Sequence, residues 1–85
     1  MQAEFFVSQI YNLGGTGLII HGEISSGQVA EGSIGMTFSG KKFTVVRIER
    51  QGERVLTADK KDKINIFVKN IEFSDLRIGE TLYLM

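Results

Sequence analysis

The 85-residue chain reads as all-β, and a small closed barrel of six or seven strands is the architecture it predicts. Three observations carry that reading. Short segments rich in Val, Ile, Phe and Thr are cut by glycine about every ten residues, the spacing of strands and turns. No stretch sustains a 3.6-residue apolar period. A chain of this size also buries only roughly 60–65% of its unfolded surface, and closing the sheet removes edges that would otherwise stay open.

The elements follow in order. Strands are expected near 5–13, 17–24, 33–38, 42–50, 54–58, 63–68 and 81–84. Between the first two, Asn12-Leu13-Gly14-Gly15 supplies the positive φ of a tight turn, and Ser25-Ser26-Gly27 offers the same to a hairpin or bulge. Gln51-Gly52-Glu53 reads as a short hairpin. Ser74-Asp75-Leu76-Arg77 reads as one helical turn with Ser74 as its N-cap, and Ile78-Gly79 returns the chain to the last strand. The whole of 1–85 is one domain, without linker, repeat or low-complexity tract.

Composition narrows the function classes. With no cysteine there is neither a disulfide framework nor a thiolate metal site. The longest apolar runs, such as Leu18-Ile19-Ile20, fall far short of a membrane span, and the N-terminus has no basic region followed by an apolar stretch, so a soluble cytoplasmic protein is expected. The starting methionine favours a complete chain. Net charge is zero, but residues 1–40 hold three acids and no base, whereas residues 41–85 hold ten bases and seven acids. Eight of those bases fall within 41–63, a stretch able to gather into a basic face.

The glycine pattern resembles one family. Gly15-Thr16-Gly17-Leu18-Ile19-Ile20-His21-Gly22-Glu23-Ile24-Ser25-Ser26-Gly27-Gln28-Val29-Ala30-Glu31-Gly32 is followed later by Ala58-Asp59-Lys60-Lys61-Asp62-Lys63-Ile64-Asn65-Ile66, and then by the turn ending at Gly79 before a final apolar strand. This is similar to the second-domain β-barrel of the translational GTPases, the elongation factor Tu and initiation factor 2 group, over essentially the whole chain. The resemblance implies a Greek-key-like barrel in which Gly15, Gly17, Gly22, Gly27, Gly32 and Gly79 are structural. It also implies a module that binds no nucleotide or cofactor itself, packs on a GTPase domain, and touches the aminoacyl end of tRNA or ribosomal RNA. Glu49 falls where elongation factors carry a glutamate near the terminal adenosine of tRNA. Two positions depart from the family: Lys61 stands where glycine is usual, and His21 where threonine is common.

Catalytic readings find little footing. Gly35-Met36-Thr37-Phe38-Ser39-Gly40-Lys41-Lys42 fits the phosphate-loop spacing, but Lys42 replaces the hydroxyl that would hold magnesium, and Phe43-Thr44-Val45-Val46 continues as a strand where a helix is required. The sequence has a single histidine, His21, which reads as a surface or barrel-wall residue, and no spacing offers three or four convergent metal ligands. No catalytic or metal residue is assigned. The nucleic-acid candidates are Lys41, Lys42, Arg47, Glu49, Arg50, Arg54, Lys60, Lys61 and Lys63, since Lys and Arg on phosphates give sequence-independent, salt-sensitive affinity. Most aromatics are expected in the core. Phe5 and Phe6 are adjacent, so one of them points outward, and they are the candidate protein contact. The expected function is a monomeric, non-catalytic module for tRNA or rRNA; the alternative is an adaptor that docks on a GTPase, a ribosomal protein or another partner.

Overall fold

The computed structural model describes residues 2–14 and 17–85. Gly15, with its share of the first turn, lies outside the described residues. Eight strands are present among them: β1 (Ala3–Asn12), β2 (Leu18–Ala30), β3 (Ile34–Met36), β4 (Lys42–Arg50), β5 (Glu53–Val55), β6 (Thr57–Asp59), β7 (Lys63–Lys69) and β8 (Thr81–Leu84). All pairings are antiparallel, and the order β1-β8-β3-β4-β7-β2 returns to β1, giving a closed six-stranded barrel. β5 and β6 lie outside the ring, on β4 and β2 respectively. No helix of the described residues is long and apolar enough to cross a membrane.

Alternation sends one side of each strand inward. Ala3, Phe5 and Val7 of β1, Leu18, Ile20 and Ile24 of β2, Ile64, Ile66 and Val68 of β7, and Leu82 and Leu84 of β8 are all buried. Three bulges shift this phase. Ser25 is an extra residue on β2, Ser8 on β1 and Val46 on β4. After each bulge the inward parity flips, so that β4 buries Phe43 and Val45 and then Ile48.

Several expectations are corrected here. β2 does not end at Ile24; the chain passes through the Ser25 bulge and continues to Ala30, with Gly27 at φ +79 directly opposite Ala3. The single strand expected over 54–58 is two. Leu56 is a corner at which the chain leaves β4 and joins β2, and its carbonyl accepts the Glu31 amide at 3.0 Å. Ser74 is not a cap, because the 3₁₀ turn spans Phe73–Asp75 and its N-cap is Glu72, whose N–H donates to Asp75 Oδ2 at 3.1 Å. Most aromatics are not in the core. Only Phe5 and Phe43 are buried; Phe6, Tyr11, Phe38, Phe73 and Tyr83 are exposed, and Phe67 is half-buried.

Gln51-Gly52 forms a two-residue hairpin between Arg50 and Glu53, with φ of 54° and 79°. Positive φ at both positions is the primed turn that matches strand twist. The phosphate-like spacing at 35–42 is also a hairpin, closed by the Thr37 N–H to the Lys41 carbonyl at 2.9 Å and by the Lys41 N–H to Thr37 Oγ1 at 3.0 Å.

The two core phenylalanines lie on glycines. A Cβ at Gly22 would overlap the Phe6 carbonyl and sit 2.9 Å from the Phe5 ring, and one at Gly35 would overlap the ring of its cross-strand partner Phe43. Gly35→Ala is therefore overpacked and expected to cost about 1–3 kcal/mol, seen as a lowered midpoint in thermal denaturation. Phe43→Leu should cost less in the Gly35→Ala background than in the parent. Purely additive losses would show that the ring is not what excludes the methyl group.

Candidate nucleic-acid interface

The same alternation that fills the core lays out an exterior wall across β4, β7, β2 and β1. Register places its residues in rows. One row is Glu49, Asn65, His21 and Gln9; the next is Arg47, Phe67, Ile19 and Tyr11. A third runs Lys63, Glu23, Phe6 and Thr81, crossing from β7 to β8. His21 Nδ1 and Asn65 Oδ1 are 2.8 Å apart, which ties β2 to β7 on the outside. Arg47 stacks over the Phe67 ring at 5.5 Å from its centroid and pairs with Glu49 at 2.6 Å.

Phe6, Ser8, His21, Gly22, Glu23, Ser25, Lys63 and Thr81 line a groove of about 550 Å³ on this wall. The Ser8 and Ser25 bulges both lie along its lining, and the Ser25 hydroxyl donates to the Glu4 carbonyl at 3.2 Å. One aromatic face, one ammonium group, one imidazole, the Glu23 carboxylate and several hydroxyls line this space.

The basic segment does not form one face. β4 is nine residues long, so Lys41 and Lys42 at its start stand about 26 Å from Arg50 at its end, against a longest molecular extent of 27 Å. Lys60, Lys61 and Lys63 join Arg50 at that far end, around the β6–β7 turn. The arginines are engaged: Arg50 with Asp62 at 3.0 Å, Arg47 with Glu49, and Arg54 with Glu31 through two hydrogen bonds of 2.8 and 2.9 Å. Among the described residues, Lys41, Lys42, Lys60, Lys61 and Lys63 make no ion pair. Lys61 adopts φ +76 without being glycine, and its N–H donates to the Ile24 carbonyl at 2.8 Å. The tight turn therefore survives the substitution and presents a charge.

Of the two candidate protein contacts, Phe6 is 45% exposed, whereas Phe5 is fully buried; its inward parity removes it from any surface. Gly17, Gly27, Gly32 and Gly79 all have φ between 79° and 100°. Asn65, Phe67, Tyr11 and Thr81 are wall residues that the sequence reading did not single out. For Asn65 and Phe67 the signal is the polar or aromatic residue alternating with Ile64, Ile66 and Val68 in β7. Among the described residues no cluster of three or more His, Asp or Glu is placed to hold a metal.

Solved structures that this chain resembles include translation factors. It superposes on translation elongation factor SelB from Methanococcus maripaludis in its apo form with a TM-score of 0.89, at 18% identity over 98% of this chain and 18% of that one. A bacterial selenocysteine-specific elongation factor, EF-Sec, gives 0.83 at 20% identity, over 94% of this chain and 14% of that chain. Sup35 complexed with GDP gives 0.85 at 19% identity, over 98% of this chain and 20% of that one. The fold is thus the translation-factor barrel, and the chain spans about a fifth or less of the length of these proteins. No protein-family model matches the sequence, and no curated protein matches it.

The Arg54–Glu31 pair gives this region a pH signature. The hydrogen bonds from Arg54, which outweigh the partial desolvation of the carboxyl, hold the Glu31 pKa below its ordinary value, and the Ile48 N–H at 3.3 Å adds to them. A carboxyl whose folded pKa is depressed contributes stability above its unfolded pKa and loses it as pH falls through the folded one. Arg54→Met should be less stable than the parent at pH 7 in urea denaturation, and the gap should close as pH drops through the acid range. A gap independent of pH would mean that Arg54 acts through packing alone.

Proposed function

We propose that this barrel is a non-catalytic module that binds tRNA or rRNA, and that the β7–β2–β1–β8 wall is the contact. The observation that carries the reading is the groove in which exposed Phe6, half-buried His21 and unpaired Lys63 converge. Nucleic acid is held by cations on phosphate and by aromatic faces on bases, and both are present within one row of cross-strand neighbours. Lys60 and Lys61 extend the positive end of that row. The translation-factor fold supports the same direction. The 35–42 spacing is not a phosphate loop, since it forms a hairpin followed by a strand.

A second reading, a protein adaptor docking on a GTPase or ribosomal protein, has one observation in its favour. Phe73 and Ile78, 49% and 63% exposed, lie on the connection between β7 and β8, away from the basic turn.

Binding of the purified protein to bulk tRNA and rRNA at about 50 and 200 mM salt tests the first reading. Three engaged lysines give a slope near −2 in log–log form, so the fourfold rise in salt should weaken binding about 20-fold. Changing Lys60, Lys61 and Lys63 together to Glu should abolish binding, and Phe6→Ser should weaken it about 5-fold or more. Absence of binding at the lower salt overturns the RNA reading; full-strength binding by the triple variant overturns the assignment of the wall.

A further inference from the structure

The other arc of the ring, β4, β3, β8 and β1, carries a row that is complementary to itself. Register sets Lys42 opposite Met36, Met36 opposite Tyr83, and Tyr83 opposite Glu4. Directly opposed residues of antiparallel strands share a face, and since Leu82 and Leu84 point inward, this row points outward. Beside it, Ile34 and Met85 exchange both backbone hydrogen bonds, at 3.2 and 2.8 Å, and form a second outward pair. Tyr83, Ile34 and Met85 are 39%, 41% and 54% exposed, and Met36 is half-buried.

Four apolar side chains on two short strands thus lie between a lysine on one flank and a glutamate on the other. Lys42 and Glu4 are both exposed, and neither makes an ion pair among the described residues. Three strand spacings, about 14 Å, separate them, so they cannot pair with each other within one chain.

The order cation, apolar, apolar, anion is the one an isologous contact uses. A second copy related by a twofold axis that runs along the strands, between β3 and β8, sets Met36 on Tyr83, Ile34 on Met85, and each Lys42 on the Glu4 of the other copy. A depression of about 280 Å³ bordered by Glu4, Ser26, Tyr83 and Met85 lies where the Lys42 stem of the other copy arrives. Phe6, Lys63 and Thr81 stand one row further along the strands, outside this contact.

We infer that this face pairs two copies of the chain into a symmetric dimer. The apolar centre supplies the affinity. The two ion pairs fix the register and exclude the alternative in which Lys42 meets Lys42. The apolar part is only two strands wide, which puts the contact at the low end of specific interfaces, so the dissociation constant is on the order of tens of micromolar. The pairing does not depend on RNA.

Sedimentation velocity of the full chain between about 5 and 500 µM, a range that brackets such a constant, is the test. The weight-average mass should rise from that of one chain toward that of two. Lys42→Glu and Glu4→Lys each set like charges against each other at both flanks, and each should weaken dimerisation at least about 10-fold. Mixed one to one, these two variants should associate at least as tightly as the parent, because both flanks of the mixed dimer then join opposite charges. The double variant Lys42→Glu/Glu4→Lys should dimerise like the parent. The mass of a single chain at every concentration overturns the dimer. Dimerisation indifferent to both reversals, or single variants that stay apart on mixing, overturns this face and its register.

Discussion

The narrowness of a six-stranded ring governs this molecule. Eight-stranded barrels have an interior just wide enough for side chains, and six strands leave less. The two rings that fit, Phe5 and Phe43, do so only because Gly22 and Gly35 present bare backbone beneath them. Once those rings are seated, inward parity is fixed on β1, β2, β3 and β4, and β7 and β8 follow through their register with those strands. The outward rows are the complement of that choice. The exterior wall that carries Phe6, His21, Asn65 and Lys63 is therefore dictated by what the interior can hold.

Charge is divided by residue type. The arginines of 41–63 are spent on the scaffold, and Arg54 shows why. Its planar fork meets both oxygens of Glu31, joining the turn after β2 to the β4–β5 hairpin. Lysines carry no such fork, and those of the same segment stand at turns and strand ends without a carboxylate partner among the described residues. Surface ion pairs add little stability individually, so these lysines lose little by staying unpaired.

Much of the fold was legible in the sequence, and the failures have a common cause. β4 and β8 were located to the residue because glycine-rich or polar turns flank them. β2 was cut short at Ile24 because the Ser25 bulge flips the alternation, and a period-2 pattern that changes phase looks like an ending. Leu56 hid the boundary between β5 and β6 for a similar reason: the run from Arg54 to Ala58 has no glycine or proline, and only the change of partner strand divides it. The candidate site was legible in its lysines and in Phe6. It was not legible in Phe67 or Tyr83, since an aromatic in a strand is assigned inward by default, and here six of the eight lie on or near the surface. Gly35 was read as part of a phosphate-like spacing when its role is to make room for Phe43.

The position of β8 in the ring has a kinetic consequence. β8 pairs with β1 on one side and β3 on the other, so the final four-residue strand is the piece that closes the circle. Before Thr81–Leu84 dock, one edge of β1 and one edge of β3 have no strand partner. Non-local pairings of this kind are slow to form because loop closure precedes their reward. Docking of Thr81–Leu84 is therefore the pairing that turns an open sheet into a ring, and an extended strand of matching pattern would find the same two edges in its place.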